Sequence, residues 1–351
     1  MEFHQLQILE VREETDDCVS VAFHIPSDLE KKFRFVPGQY LTLKHTIAGE
    51  EIRRSYSICS TPDEQLRVAI KVVPDGIFST WANDKLNAGM TIAVAVPQGN
   101  FIHNIDPEAA NHYVAFVAGS GITPIMSIVT DVLEKEPKSS FSLFYGNRTT
   151  QQIIFREELE ALKNQHMERF QLYHILSRET TESPLLSGRI DPERCDVYFK
   201  YFIPTDKLAS VFLCGPYEMI MGMKEQLPKC GVDAADIKFE LFYNPEVDDV
   251  NETPTIVYDH DHQIKITLDG LTSEIASRLD VPILDMAIDA GMDLPYSCKG
   301  GVCATCKAKI TAGDVEMTTN FALEPEEVEQ GYVLTCQAHA LTDFVEVNFD
   351  I

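Results

Sequence analysis

Residues 298–306 read CKGGVCATC, three cysteines and two glycines in nine positions. A fourth cysteine, Cys336, stands downstream, so the spacing is Cys298-x4-Cys303-x2-Cys306-x29-Cys336. The remaining five of nine cysteines, Cys18, Cys59, Cys195, Cys214 and Cys230, are scattered along the chain. An odd total argues against a disulfide framework. The opening stretch MEFHQLQILEVREETDD has neither a basic start nor a hydrophobic run, which predicts a chain without a signal peptide, placed in the cytoplasm. Clustered thiols in such a chain point to metal rather than to cross-links.

The spacing has a physical basis. One loop wraps three sulfurs while the fourth arrives from a distant turn, the pattern in which four thiolates hold a [2Fe–2S] cluster. Gly300 and Gly301 let the backbone bend and bring amide N–H groups close to the sulfurs, which stabilises an anionic cluster. A structural zinc site is the competing reading. Zinc modules usually pair two C-x2–4-C knuckles, whereas here Cys336 stands alone. Cys298, Cys303, Cys306 and Cys336 are therefore read as cluster ligands. His260 and His262 in YDHDHQ lack metal-site spacing and are assigned to a solvated hairpin turn.

Working outward, the chain divides into three rhythms. The first hundred or so residues alternate short β-like runs (QLQILEV, CVSVAFHI, QYLTLKH, RVAIKVV, TIAVAV) with turn signals, which predicts a barrel or sandwich. The middle alternates apolar strands with amphipathic helices, as in HYVAFVAG then PIMSIVTDVLEKE, and VFLCGP then YEMIMGMKEQL, which predicts a parallel sheet covered on both faces. NPEVDDVNET, residues 244–253, reads as a polar linker. Beyond it, TIVYDH and QIKITLD suggest a hairpin, VPILDMAIDAG a helix from Pro282 to Gly291, and FVEVNF a closing strand.

The chain carries 29 Lys+Arg against 55 Asp+Glu, a formal charge of −26. That balance disfavours non-specific binding to nucleic acid or to an anionic membrane. From residue 254 to the end there are 17 acidic and 5 basic side chains, a balance of −12. This is first a solubilising surface, and second a face that would dock on a basic partner.

Upstream motifs carry the remaining chemistry. In RRSYSICS, residues 53–60, Arg54 and Tyr56 fall on one face of a strand. An arginine there can clamp a pyrophosphate, a tyrosine can stack on a flavin, and the Ser57 hydroxyl can reach the flavin's reactive nitrogen. In GIFST, residues 76–80, Gly76 makes a turn, and Ser79 and Thr80 open a helix whose free N–H groups suit phosphate. AGSGITPIMS, residues 118–127, joins a strand to a helix, with Gly119 and Gly121 for close backbone approach, Thr123 as N-cap and Pro124 as first helical residue. Further strand ends carry FYGNR with Arg148, LSRE with Ser177 and Arg178, and LCGPYEM with Cys214, Gly215 and Pro216. Ligands of open α/β sheets bind outside the carboxyl ends of strands, so these loops converge on one crevice. Each motif alone is equally well explained as a tight turn or a half-buried strand, and their convergence decides.

RxYS, GxxS, GSGITP, YGNR, SRE and CGPxxM occur in the order seen in the ferredoxin–NADP reductase superfamily, and the cysteine pattern resembles a fused plant-type ferredoxin. More narrowly, VPGQYLTL, EIRRSYSIC, VVPDGIFSTW, LSGRID and NFALEPEEVEQGYVLTCQAHA resemble the reductase subunits of phenylacetyl-CoA epoxidases. The resemblance implies an FAD-binding antiparallel β-barrel over 1–107, an NAD(P)-binding α/β domain over 108–245, a linker at 246–253 and a β-grasp [2Fe–2S] ferredoxin domain over 254–351. It implies that Arg54, Tyr56, Ser57, Lys71, Val72, Gly76, Ser79 and Thr80 hold FAD, and that Phe242 covers the flavin's other face with Glu240 close by. Gly119, Gly121, Thr123, Pro124, Gly215 and Pro216 would support the nicotinamide dinucleotide, with Cys214 near its reacting carbon. Ser57, Cys214 and Glu240 form the implied catalytic set. Ser177 and Arg178, aided by Arg148 and Arg189, offer donors and positive charge for a 2′-phosphate, which favours NADPH over NADH, although Glu179 adjoins them. Electrons would pass from NAD(P)H through FAD and the cluster to an oxygenase, most like a di-iron phenylacetyl-CoA epoxidase. A ring-hydroxylating dioxygenase or fatty-acyl desaturase is the alternative acceptor, and a non-catalytic iron–sulfur redox sensor is the alternative of another class.

Overall fold

The computed structural model describes residues 1–180, 183–205, 207–242, 263–278 and 280–350. The linker at 246–253, the strand TIVYDH, the start of the last domain at 254, and His260 and His262 lie outside the described residues. Two compact units emerge, Glu2–Leu241 and Phe242–Ile351.

In the first unit, strands β1 (Phe3–Thr15), β2 (Cys18–His24), β3 (Tyr40–Ile47), β4 (Glu50–Ser57) and β5 (Arg67–Lys71), with β6 (Thr91–Ala95), form an antiparallel sheet in the order β4-β3-β6-β1-β2-β5. An Ile58–Val68 bridge and the Cys59 N–H to the Arg67 carbonyl, 2.9 Å, join the two ends. The sheet is thus a barrel, and closure removes the unpaired edge an open sheet would present. Alternating residues fill it, among them Leu6, Val21, Leu41, Val68 and Val94. Helix α1 (Ile77–Lys85) buries Phe78 and Ala82 against this core. It begins two residues earlier than the sequence suggests, with Gly76 as N-cap. The reason is local: the Ser79 hydroxyl accepts the Val73 N–H at 3.1 Å and donates to the Gly76 carbonyl at 3.3 Å, tying the turn from inside the helix.

Strands β7 (His112–Ala118), β8 (Ser140–Asn147), β9 (Phe170–Leu176), β10 (Leu208–Cys214) and β11 (Ile237–Glu240) form a parallel sheet in the order β11-β10-β7-β8-β9. Helices α2 (Ile122–Lys135), α3 (Arg156–Gln165), α4 (Cys195–Tyr201) and α5 (Tyr217–Gln226) connect them. HYVAFVA and VFLC are continuous apolar runs because these strands are buried on both faces. Strand order reverses between β7 and β10, so a switch-point crevice opens there.

Barrel and parallel sheet pack as one body. The Ser127 hydroxyl donates to the Ser60 carbonyl at 2.6 Å, and Lys238 Nζ to the Ile102 carbonyl at 2.9 Å. Phe101 meets Phe212 edge-on at 5.8 Å. At the same junction Glu136 is fully buried. Its Oε1 takes hydrogen bonds from His103 Nε2 (3.0 Å) and the Asp106 N–H (3.1 Å), and its Oε2 from the Tyr113 hydroxyl (3.0 Å). Burial alone would raise this carboxyl, yet His103 and the other donors hold it below the usual range.

In the second unit, β12 (Gln263–Leu268), β13 (Leu271–Ala276), β14 (Lys307–Ala312), β16 (Tyr332–Leu334) and β18 (Phe344–Asn348) form a mixed sheet ordered β13-β12-β18-β14-β16. β12 and β18 run parallel, and the other pairs are antiparallel. Helix α6 (Ile283–Asp289) packs Ile283, Leu284, Met286 and Ala287 onto Ile264, Ile266, Val345 and Val347, the β-grasp arrangement. A short pair, β15 (Val315–Met317) with β17 (Ala338–Ala340), and helix α7 (Pro325–Glu329) complete it. The hairpin partner of β12 is LTSEIA, which lacks a buried face and so gives little sequence signal. Among the described residues no helix is long and apolar enough to cross a membrane.

Replacing Glu136 by alanine should destabilise the first unit by about 3 kcal/mol, because His103, Tyr113 and the Asp106 N–H lose their acceptor. Since the folded carboxyl is lowered, its contribution is present above about pH 4.3 and is lost on further acidification. Urea unfolding of wild type and variant at neutral and acid pH checks both statements.

Candidate active site and cluster site

The carboxyl edge of the parallel sheet brings the motifs together. In register, Cys214 of β10 lies beside Val117 of β7 and Glu240 of β11. Gly119–Gly121 form a 3-10 turn leading into α2. A Cβ on Gly121 would stand 2.2 Å from the Cys214 carbonyl oxygen, so only glycine lets the loops after β7 and β10 meet. The α2 start differs from the sequence expectation: Gly121 is the N-cap and Ile122 the first residue, which puts Thr123 and Pro124 inside the first turn. Thr123 donates its hydroxyl back to the Ser120 carbonyl at 3.0 Å instead of accepting a helix N–H. Pro216 precedes α5, and Gly215 lies against Ala118.

From the barrel side comes Ser57, 3% exposed at the end of β4. Its hydroxyl donates to Glu240 Oε2 at 2.9 Å. Burial raises the Glu240 carboxyl to about 8, with the Ser57 hydrogen bond acting against that rise. Cys214 is fully buried, and burial, with Glu240 adding to it, pushes its thiol far above the ordinary range. The trio is thus a neutral thiol, a hydroxyl and a carboxyl that holds its proton near neutrality. Such a set can position a ligand and keep or release a proton, but it contains no thiolate nucleophile.

Along β4, Tyr56 and Arg54 stand opposite Leu41 and Leu43 of β3 and so share one face. The Tyr56 ring lies 5.8 Å from that of Phe78 on α1, and Arg54 is exposed, with Nη1 donating to the Arg53 carbonyl at 2.7 Å. Lys71 Nζ is 3.1 Å from the Asp17 carboxylate, and the Val72 N–H donates to the Asp17 carbonyl at 2.7 Å. The Ser79 hydroxyl is engaged within its own turn, whereas Thr80 is exposed. On the far rim, Arg148, Ser177, Arg178 and Arg189 are exposed, and the Arg178 N–H donates to the Arg148 carbonyl at 2.8 Å. Glu179 turns away: its oxygens accept the Thr150 N–H (2.8 Å) and hydroxyl (2.6 Å), which lower its carboxyl. Phe242 is 42% exposed and begins the other compact unit.

In that unit the four cysteines converge as two pairs, Cys298 with Cys303 and Cys306 with Cys336. The Cys298 thiol is lowered, first by the Cys303 thiol and, against burial, by the N–H groups of Gly300, Val302 and Cys303. The Gly300 N–H lies 3.3 Å from the Cys298 sulfur. Two pairs of thiols match two irons that each take two protein sulfurs, and N–H groups aimed at sulfur favour thiolates, so the residues present fit a [2Fe–2S] cluster. The loop turns through left-handed residues at Lys299 (φ 55°), Gly301 (φ 76°) and Ala304 (φ 52°), and Gly300 is not one of them.

Some supporting residues escape sequence reasoning. The Thr335 hydroxyl donates to the Cys306 carbonyl at 2.9 Å, and Gln337 Nε2 to the Lys299 carbonyl at 2.8 Å, so the residues flanking Cys336 anchor the cysteine loop. Their position beside the last cysteine is the only sequence signal they offer. Tyr145, the tyrosine of YGNR, steadies the turn after β7 through its hydroxyl, which donates to the Gly119 carbonyl at 3.1 Å, a role the motif alone does not reveal.

Comparison with known proteins agrees with this layout. Residues 5–103 match the oxidoreductase FAD-binding domain, 116–225 the oxidoreductase NAD-binding domain and 266–341 the 2Fe-2S iron-sulfur cluster binding domain. The chain is 43% identical to one of the subunits of the 1,2-phenylacetyl-CoA epoxidase of Escherichia coli (strain K12), over 99% of this chain and 98% of that one. It is 34% identical to the ferredoxin reductase component of 3-ketosteroid-9-alpha-monooxygenase from Mycolicibacterium smegmatis, over 99% and 97%. Phthalate dioxygenase reductase shares the fold at 20% identity, with a TM-score of 0.59 and coverage of 99% of this chain and 98% of that one. With its FAD-binding, NAD-binding and 2Fe-2S cluster binding domains in that order, the chain belongs to the family of NAD(P)H-dependent oxidoreductases of the ferredoxin-reductase type.

Proposed function

We propose that this chain is the cytoplasmic reductase component of an oxygenase, drawing on NADPH and delivering electrons to a di-iron partner of the phenylacetyl-CoA epoxidase type. The carrying observation is the Ser57–Glu240 hydrogen bond, which joins the barrel residue read as a flavin contact to the strand end beside Cys214. The 43% identity over nearly the whole of both chains supports the choice of partner class. The domain limits, 1–107, 108–245 and 254–351 with a linker between the last two, follow the same reading.

Bound FAD and the [2Fe–2S] cluster supply the conversion of a two-electron hydride donor into single electrons. The chain's own residues do the rest. Arg54, the α1 N-terminus at Gly76 and the Thr80 hydroxyl would hold the FAD pyrophosphate, with Lys71 and Val72 bordering it and Tyr56 stacking on the ring system. Gly119, Gly121, Thr123, Pro124, Gly215 and Pro216 shape a close-fitting floor for the nicotinamide nucleotide, and neutral Cys214 excludes water beside it. Ser57 and Glu240 hold a proton at the flavin edge. Arg148, Ser177 and Arg178 face a 2′-phosphate, and Glu179, held by Thr150, is diverted from repelling it. Cys298, Cys303, Cys306 and Cys336 hold the cluster.

Because the Glu240 carboxyl is raised to about 8, its neutral form prevails below that pH and is lost above it. Stopped-flow flavin reduction by NADPH should slow as pH rises through about 8 in wild type, and lose that inflection in Glu240→Gln. Arg178→Ala should raise KM for NADPH about tenfold, the worth of one charge-assisted contact, with kcat unchanged and KM for NADH unmoved. Equal effects on both nucleotides would remove Arg178 from 2′-phosphate recognition. Cys336→Ser should lose labile sulfide and reduction of a one-electron acceptor fed by the cluster, while FAD content and flavin reduction persist. Iron and sulfide assays alongside visible spectra check this.

A further inference from the structure

Two cysteines outside the cluster and the crevice lie against each other. Cys195, the first residue of α4, is fully buried; Cys230, the last residue of the turn Leu227–Cys230 after α5, is partly exposed. Their sulfurs are 3.3 Å apart across 35 residues of sequence, and the Cys230 sulfur is 3.1 Å from Asp196 Oδ1. The approach is held by packing on both sides. The 3-10 turn Pro192–Arg194 leads straight into α4, and a Cβ on Gly222 of α5 would stand 2.6 Å from the Pro192 ring, so the two helices meet closely just before the thiols. Closing the remaining gap to a sulfur–sulfur bond of about 2.05 Å needs a shift of little more than an ångström.

We propose that Cys195 and Cys230 are an oxidative modification site, at which hydrogen peroxide forms a reversible disulfide that latches α4 to the end of α5. This is independent of the cofactor and partner reading. The accessible sulfur, Cys230, attacks the peroxide, cleaving its O–O bond, and becomes a sulfenic acid with loss of one water. The Cys195 sulfur then displaces the hydroxyl, which leaves as a second water with the Cys195 proton. In sum two S–H bonds are lost, one S–S bond forms, and the peroxide takes up two electrons and two protons. A dithiol reductant reverses it. Burial raises both thiols, and Asp196 raises Cys230 further, so the reaction is slow at neutral pH and quickens in alkali. The pair is a latch set by sustained oxidative exposure, and the closed loop spans β10 with its Cys214–Pro216 turn, restricting the unfolded chain.

The test exposes the holoprotein to hydrogen peroxide, alkylates remaining thiols and maps peptides by mass spectrometry. Expected is a linked Cys195–Cys230 peptide, two hydrogens lighter than its parts, formed faster at alkaline pH and released by dithiothreitol. The thermal unfolding midpoint should rise by a few degrees. Cys230→Ser and Cys230→Ala should each abolish the linked peptide and the thermal shift, while flavin reduction by NADPH stays at the wild-type rate. Recovery of Cys195 alkylated while Cys230 is oxidised alone would overturn the proposal, as would an equal thermal shift in the Cys230 variants.

Discussion

The Ser57 hydroxyl and the Glu240 carboxyl meet across 183 residues of sequence, and most of the first unit is arranged so that they can. Ser57 reaches the contact only because β4 ends where the barrel closes through Ile58 and Val68. Glu240 reaches it because β11 pairs in register with β10, which sets it level with Cys214. Partial burial of this carboxyl, with no cation set against it, raises it to about 8, and that distinguishes the site from an ordinary polar loop cluster.

Holding two sheets at such a contact requires a rigid junction. The Glu136 network, the Ser127–Ser60 bond and the Phe101–Phe212 contact supply it, so the FAD-binding and NAD-binding segments pack as one compact unit rather than as two independent bodies. Interfaces of this kind are buried and hydrogen-bonded, and they resist the hinge motions expected of weakly packed domains. The second unit solves a different problem. Three thiols on one loop must be brought to a fourth on a distant turn, and the protein does so through three left-handed loop residues and the anchors Thr335 and Gln337 beside Cys336.

Two non-glycine residues, Lys299 and Ala304, share the left-handed turns with Gly301, which glycine counting along the sequence could not anticipate. Helix starts were similarly displaced by local hydrogen bonds. Thr123 resembles an N-cap in the sequence, yet its hydroxyl is spent on the Ser120 carbonyl, and Ser79 works from within the first turn of α1. Strand β13 carries no alternating apolar pattern because neither of its faces is buried, and so it leaves no trace for periodicity to find.

The sequence by itself determined the fold class and the cofactor set. Strand alternation, β–α alternation and the C-x4-C-x2-C-x29-C spacing are local properties, written in residue order and independent of how distant segments meet. It also named Cys214, Gly121 and the Arg148–Arg178 rim through their places at strand ends. What only the tertiary structure decided are the relations between separated segments: the Ser57–Glu240 contact, the diversion of Glu179 to Thr150, the grouping of the cluster thiols into two pairs and the meeting of Cys195 with Cys230. The physical reason is that desolvation and hydrogen-bond pairing depend on which groups a fold buries together, and a one-dimensional pattern carries no record of that.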